Sequence, residues 1–217
     1  MMHFFTDISD GNLALHVEDN PLDVYENREL LKQKAECENL VFMEQIHTGN
    51  ITIIKNTDTK AVKATDALIT NLPNVVLCVM VADCIPLLFK DEKQKVIAAV
   101  HAGRNGSFLE IAKKVALKMQ KEFTCKMENL HVELGPCIKS CCYEVGGELT
   151  RGYEKYTQVR EGRFYLDLVS LNKDQLLSVG VREEHISVSC ICTCCDTNYY
   201  SYRRDKQSGR FCGVIKL

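Results

Sequence analysis

A chain of 217 residues, 46% apolar and 26% charged, has an ordinary globular balance and is long enough to bury a core, which excludes a disordered or fibrous protein. Its 27 basic and 29 acidic residues give a net charge of −2 with no basic run, which argues against nucleic acid as a partner and favours a small uncharged or anionic ligand. The apolar runs fall short of the roughly 18 residues a membrane helix needs, and Met1-Met2-His3-Phe4 lacks the layout of a secretory signal, so no membrane partner and a cytoplasmic location are expected.

Asn20 and Pro21 suit a helix cap and first turn, and predict a helix from 21 to about 36. "NLVFMEQIH" and "ITIIK" read as strands around Thr48-Gly49-Asn50, followed by "DALIT". The run "NVVLCVMVADCIPLLFKD" is apolar on both faces, as expected of a strand covered on both sides. "KVIAAV" leads into His101 and the small-residue turn Ala102-Gly103-Arg104-Asn105-Gly106, and a helix is predicted from about 107 to 122. "NLHVELG" then reads as a strand, "GGELTRGYEKYT" and "FYLDLVSLNKDQLLSVG" as helices, and "HISVSCICT" as a strand, before "YYSYRRD", a Ser-Gly turn and "RFCGVIKL". No linker, charge block or repeat divides the chain, so residues 1–217 read as one α+β domain with sheets inside and helices outside.

Three ligand-type residues end apolar runs: His47, Cys84 and His101, each followed by a turn-forming or chain-redirecting residue, Gly49, Pro86 or Gly103. If those ends lie on one side of a sheet, two imidazoles and a thiolate converge, a donor set that suits Zn²⁺ and leaves a fourth position open. A Cys84–His101 nucleophile and base, with Asp83 or Asp66 orienting the imidazole, is a competing reading, as are unrelated core residues.

"EQIH", "TDALIT", "VADCIPLLF", "AAVHAGRNG", "LGPCIKSCCYEVG" and "SYRRDKQSGR" occur in the order and spacing of the laccase-domain purine nucleoside phosphorylases, a family also labelled polyphenol oxidases. The chain resembles that family over nearly its whole length. The resemblance implies a layered α/β/β/α fold, zinc held by the catalytic residues His47, Cys84 and His101, phosphorolysis of adenosine, inosine and methylthioadenosine, and adenosine deamination as a further activity. Relatives usually read HAGWRG after the ligand histidine, whereas here Arg104 takes the tryptophan position and Asn105 the arginine position, so a phosphate contact from this loop is redirected or weakened.

Arg28 resembles the family's early arginine and offers a planar fork for phosphate, with a solvated helix arginine as the alternative. Gln45, two before His47 on the predicted strand, shares its face and could reach a base or bound water. Asp66 could orient a ligand histidine or cap a turn. With Arg104 and Asn105 these complete the substrate and phosphate candidates.

Twelve cysteines without an export signal read as reduced thiols. Cys137, Cys141 and Cys142, and Cys190, Cys192, Cys194 and Cys195, invite a second metal, but alternation along the predicted strand favours packing of a buried face. Tyr199, Tyr200 and Tyr202 with Arg203 and Arg204 suit either base stacking or a cross-strand patch. Among rival activities, copper oxidation of phenols calls for many histidines, often in His-X-His pairs, and this chain has six histidines with no such pair. A cysteine hydrolase and a zinc-stabilised binding module with four closed ligands complete the rivals.

Overall fold

The computed structural model describes residues 1–217. In chain order the elements are β1 (Met2–Phe5), α1 (Pro21–Lys34), β2 (Leu40–Met43), β3 (Ile51–Ile53), β4 (Ala61–Val62), β5 (Ala67–Thr70), β6 (Val76–Val81), β7 (Ile85–Asp91) and β8 (Val96–Ala102). The chain continues through α2 (Arg104–Phe108), α3 (Ile111–Phe123), β9 (His131–Leu134), β10 (Glu144–Val145), β11 (Thr157–Arg160), β12 (Arg163–Leu166), α4 (Leu168–Ser178), β13 (Ile186–Val188) and β14 (Phe211–Lys216).

Two mixed sheets, ordered β1-β14-β6-β2-β4 and β13-β9-β7-β8-β5-β3, make the protein α+β, and a small sheet β10-β12-β11 flanks them. Strand alternation explains how they stack. Leu77, Val79 and Val81 of β6 meet Leu88 of β7 and Ile97 and Ala99 of β8 between the sheets. The alternate residues face outward: Val76, Cys78 and Met80 pack under Leu31 of α1, with Ala35 just beyond it. Leu87, Phe89, Ala98 and Val100 pack under Ile111, Val115 and Met119 of α3 and Leu171 of α4. The layers therefore run helix, sheet, sheet, helix. With helices covering both outer faces, the central strands are apolar on both sides, as their sequences suggest.

Several predicted elements differ in their limits. The run from 74 to 91 is two strands in different sheets, because the chain crosses between them at Ala82–Cys84, where Asp83 takes φ 87°. The helix predicted from 107 to 122 is two helices separated at Leu109–Glu110. Gln175 Nε2 donates to the Ser107 carbonyl at 2.8 Å, and that carbonyl would otherwise serve a continuing helix. Residues 147–156 form short tight turns rather than an α-helix; the Thr150 hydroxyl takes the Gly147 carbonyl at 2.7 Å, a local bond that competes with helix propagation. In "FYLDLVSLNKDQLLSVG" the first residues pair as β12 with β11 across the Glu161-Gly162 turn, both at positive φ, and α4 starts only after Asp167 caps Ser170 N–H.

The strand predicted over "HISVSCICT" stops at Val188, and "NLVFMEQIH" is strand only through Met43. Cys190, Cys192 and Cys194 therefore do not line one strand face: Cys190 is exposed, Cys192 buried and Cys194 half-buried in a turn, and the packing reading fails for this segment. Cys137, by contrast, belongs to the core.

Phe89 is fully buried beneath α3. Phe89→Ala is expected to lower the unfolding free energy by about 3–5 kcal/mol, read as a fall in the urea midpoint with the slope unchanged.

Candidate metal centre

His47, Cys84 and His101 come from three different parts of the chain. His101 is on β8, and β8 pairs with the start of β7 at Pro86↔His101. Cys84 lies immediately before β7, at the crossing between sheets. His47 sits four residues beyond β2, at φ 59°, in the segment that leads to β3. Positive φ at His47 and at Asp83, the residue before Cys84, stores on the order of 1–3 kcal/mol each, as is common where a site dictates side-chain direction.

The donor atoms of these three residues all lie within 4.8 Å of one another. His47 Nε2 is 4.0 Å from Cys84 Sγ, and the two imidazoles meet edge to face with centroids 4.7 Å apart. Gly103 closes the floor. A Cβ there would stand 2.9 Å from Cys84 Sγ and 3.1 Å from His47 Cδ2, so only glycine lets the backbone pass this close to the donors.

A fully buried carboxylate organises the group. Asp66 Oδ1 accepts from His101 Nδ1 at 2.8 Å and from His47 N–H at 2.9 Å, and Oδ2 accepts from Thr48 N–H at 2.7 Å and the Thr48 hydroxyl at 2.8 Å. With Nδ1 bonded to Asp66, His101 presents Nε2 to the centre. Asp66 is 0% exposed and its oxygens are taken by His101, His47 and Thr48, which places it behind the donors, the orienting position its sequence allows.

The charges of the three residues and Asp66 are tuned together. Burial raises the Cys84 thiol, but the adjoining His101 and His47 outweigh it and bring the thiol down to about 6. Burial depresses His101, yet the Cys84 charge and the Asp66 hydrogen bond raise it to about 9. Burial raises Asp66 too, and the bonds from His101 and Thr48 overcome this to hold it at about 2. The Cys84 thiolate and the two histidine rings, His101 giving up its Nε2 proton on binding, are a donor set that could hold a borderline-soft metal ion with a position left open.

The remaining candidates separate clearly. Arg28 donates through Nε and Nη2 to the Leu13 carbonyl at 2.9 and 2.7 Å and stacks on Phe42 with 4.1 Å to the ring centroid, so most of its fork is engaged within the chain. Gln45 is not aimed at a ligand: its amide donates to Met80 O at 2.8 Å and accepts from Met80 N–H at 3.0 Å, because the strand has already ended and the side chain replaces backbone pairing. Arg104 is half-buried at the start of α2, next to the half-buried Tyr143, with no ion pair or side-chain hydrogen bond inside the chain. Asn105 is exposed.

Sequence reading missed Arg210, although it lies in the quoted "SYRRDKQSGR". Burial pulls its guanidinium down, offset in part by the nearby charges of Cys84 and Asp83, and it borders His16. Arg203 and Arg204 are engaged within the chain, and Arg203 also lies over the Tyr143 ring, 5.3 Å from its centroid. They clamp loop carbonyls: Arg203 holds those of Cys142 and Glu144, and Arg204 holds those of Thr193, Cys194, Asp196 and Tyr199. Of the other histidines, His131 and His185 stack 3.9 Å apart at the opposite end of β7. No helix of the chain is long and apolar enough to cross a membrane.

Residues 6–217 match a family model described as multi-copper polyphenol oxidoreductase laccase. A purine nucleoside phosphorylase of Corynebacterium glutamicum is 37% identical over 215 residues, covering 95% of this chain and 86% of the relative. The purine nucleoside phosphorylase YlmD of Bacillus subtilis is 30% identical over 226 residues, covering 95% and 81%. The crystal structure of the hypothetical protein YfiH of Bacillus licheniformis aligns with TM-score 0.93 at 28% identity over 99% of this chain and 92% of its own. That of YlmD from Geobacillus stearothermophilus gives 0.89 at 30% identity over 94% and 84%. Matched along almost its full length in both sequence and fold, the chain belongs to the multi-copper polyphenol oxidoreductase laccase family, among whose similar proteins are these purine nucleoside phosphorylases.

Proposed function

We propose that the protein is a zinc-dependent purine nucleoside phosphorylase acting on adenosine, inosine and methylthioadenosine. The observation that carries this reading is the convergence of His47, Cys84 and His101 into one donor cluster, with Arg104, whose guanidinium has no partner in the chain, opening α2 just after His101 and Gly103. The similar proteins named purine nucleoside phosphorylase support the reaction class. When bound by these three residues, zinc supplies a Lewis-acidic position for a substrate oxygen or a water.

The chain's own groups then divide the work. Asp66 holds His101 and the His47 backbone, so two donors keep their direction as substrate enters. Arg104 holds phosphate, while Arg28 braces the Leu13 segment. A phosphate oxygen forms a bond to the anomeric carbon as the carbon–nitrogen bond breaks; the electron pair leaves with the purine, which takes up a proton, and the products are free base and a ribose 1-phosphate. Deamination of adenosine would instead direct a water at C6 of the purine, where a carbon–oxygen bond forms as the exocyclic carbon–nitrogen bond breaks, ammonia leaves and inosine is the product.

A Cys84–His101 hydrolase would need neither His47 nor an open metal position, and His47 lies within the same donor cluster. A multicopper oxidase needs further imidazoles, and only two of the six histidines reach this site.

The assay is base release from adenosine with and without phosphate. Adenine and ribose 1-phosphate are expected only with phosphate, and phenol oxidation with copper in the absence of base release would overturn the reading. In the same assay Arg104→Ala should raise the phosphate KM roughly 10- to 100-fold, as fits one charge-assisted contact, while Arg28→Ala should chiefly lower stability. The reverse ranking would place phosphate at Arg28.

Thiolate chemistry offers a second check. A thiol lowered to about 6 is reactive above that pH, so iodoacetamide labelling of Cys84 in metal-free protein should climb through pH 6 and level off near pH 7. An ordinary thiol would keep rising toward pH 9. Zinc should suppress the labelling at every pH, and labelling unaffected by zinc would remove Cys84 from the donor set.

A further inference from the structure

A second set of donors lies outside this site, where two loops meet. Cys141 and Cys142 are in the turn after the Gly135–Pro136 segment, and Cys192 and Cys195 are in the turn that follows β13. Although about fifty residues of chain separate the pairs, all four sulfurs lie within 4.8 Å of one another. Cys195 Sγ is 3.3 Å from Cys142 Sγ and 3.8 Å from Cys141 Sγ. Zinc–sulfur bonds of about 2.3 Å in a regular tetrahedron put sulfurs about 3.8 Å apart, so small side-chain shifts bring this cluster onto that geometry.

The backbone around the cluster is arranged for sulfur. Cys192 and Cys195 are spaced C-x-x-C in a turn whose Cys195 and Asp196 N–H groups return to the Cys192 carbonyl at 3.1 and 2.9 Å. The Lys139 N–H donates to Cys192 Sγ at 3.4 Å. Loop carbonyls are drawn away from the thiols by arginines: Arg160 takes those of Ser140 and Cys141, Arg203 that of Cys142, and Arg204 those of Thr193 and Cys194. Lys139 Nζ, in the same loop, is buried without a hydrogen-bond partner and lies against the Cys137 thiol.

We propose that Cys141, Cys142, Cys192 and Cys195 bind a zinc ion in a closed four-thiolate site with a structural role. Binding releases four protons and leaves the centre with a net charge of −2, in a loop region whose carbonyls are held by three arginines. A disulfide fits less well. It joins two sulfurs at about 2.05 Å, whereas Cys195 lies between Cys141 and Cys142, and any single bond leaves two thiols stranded in the cluster.

The position gives the ion a purpose. Thr193, between the two zinc-binding cysteines of its turn, donates its hydroxyl to Asp83 Oδ1 at 2.7 Å; Arg203 N–H donates to Asp83 Oδ2 at 2.6 Å; and Ile138 N–H donates to the Asp83 carbonyl at 2.9 Å. Asp83 is the residue at φ 87° that sets the direction of Cys84. Joining the two loops thus holds in place the backbone that delivers the thiolate of the first site.

The test is metal content of the whole chain purified under reductant with zinc supplied. About two zinc ions per chain are expected, falling to about one in Cys195→Ser and in Cys142→Ser, and staying at about two in Cys194→Ser, which lies outside the cluster. Cys84→Ala should also fall to about one, by loss at the other site, so failure of one site is distinguishable from failure of the other. Should the cysteine variants not fold, wild-type metal-free chain titrated with cobalt decides the matter. Two equivalents, one giving the strong red d–d absorption and ultraviolet charge transfer of a tetrahedral four-thiolate centre, support the site. A single equivalent with the charge transfer of one thiolate, unchanged zinc in Cys195→Ser, or a Cys142–Cys195 disulfide in protein alkylated without reductant would each overturn it.

Discussion

The buried carboxylate of Asp66 is the constraint on which the site depends. A carboxylate taken out of water costs several kcal/mol unless its oxygens are satisfied, and this one is satisfied by the His101 ring, the His47 N–H and both the N–H and hydroxyl of Thr48. Those partners are the donors' own residues and a neighbour. Meeting the needs of one buried anion therefore places two imidazoles, and the pairing of β8 with β7 brings the segment after Asp83 alongside them.

The fold makes such a meeting available because the chain changes sheets at the site. β6 ends in one sheet and β7 begins in the other, with only Ala82, Asp83 and Cys84 between. Cys84 is thus held at the seam, its direction set by an aspartate in a left-handed conformation that three backbone and side-chain donors from distant loops maintain. Opposite it, Gly103 lets the β8–α2 connection approach within contact of all three donor residues. Sandwich core and site are one construction: the same alternation that packs Leu88 and Ile97 between the sheets delivers His101 at the end of β8.

Much of this was legible in the sequence because the signals are local. Apolar runs marked the central strands, Asn20-Pro21 marked α1, and His47, Cys84 and His101 stood out as ligand-type residues at the ends of those runs. What escaped reading depends on partners far along the chain. Gln45 looked free to face a ligand until the end of β2 gave its amide to Met80. Arg28 looked like an anion fork, but the Leu13 carbonyl and the Phe42 ring occupy it. The cysteines at 190–195 looked like strand packing because their alternation mimics a buried face; the strand in fact ends at Val188, and the turn beyond it meets a loop some fifty residues earlier. Asp66 had the right neighbours in view, yet only burial distinguishes an orienting carboxylate from one that touches substrate.

As proposed, a buried aspartate arranges three protein donors around one metal with a fourth position open. Anomalous scattering at the zinc edge from crystals of the zinc-loaded protein tests it most directly. A peak bonded to His47 Nε2, Cys84 Sγ and His101 Nε2 is expected, with a solvent or substrate atom completing the tetrahedron and Asp66 still on His101 Nδ1. A crystal with full zinc content but no peak among these three residues, or a peak there closed by a fourth protein ligand, would contradict it.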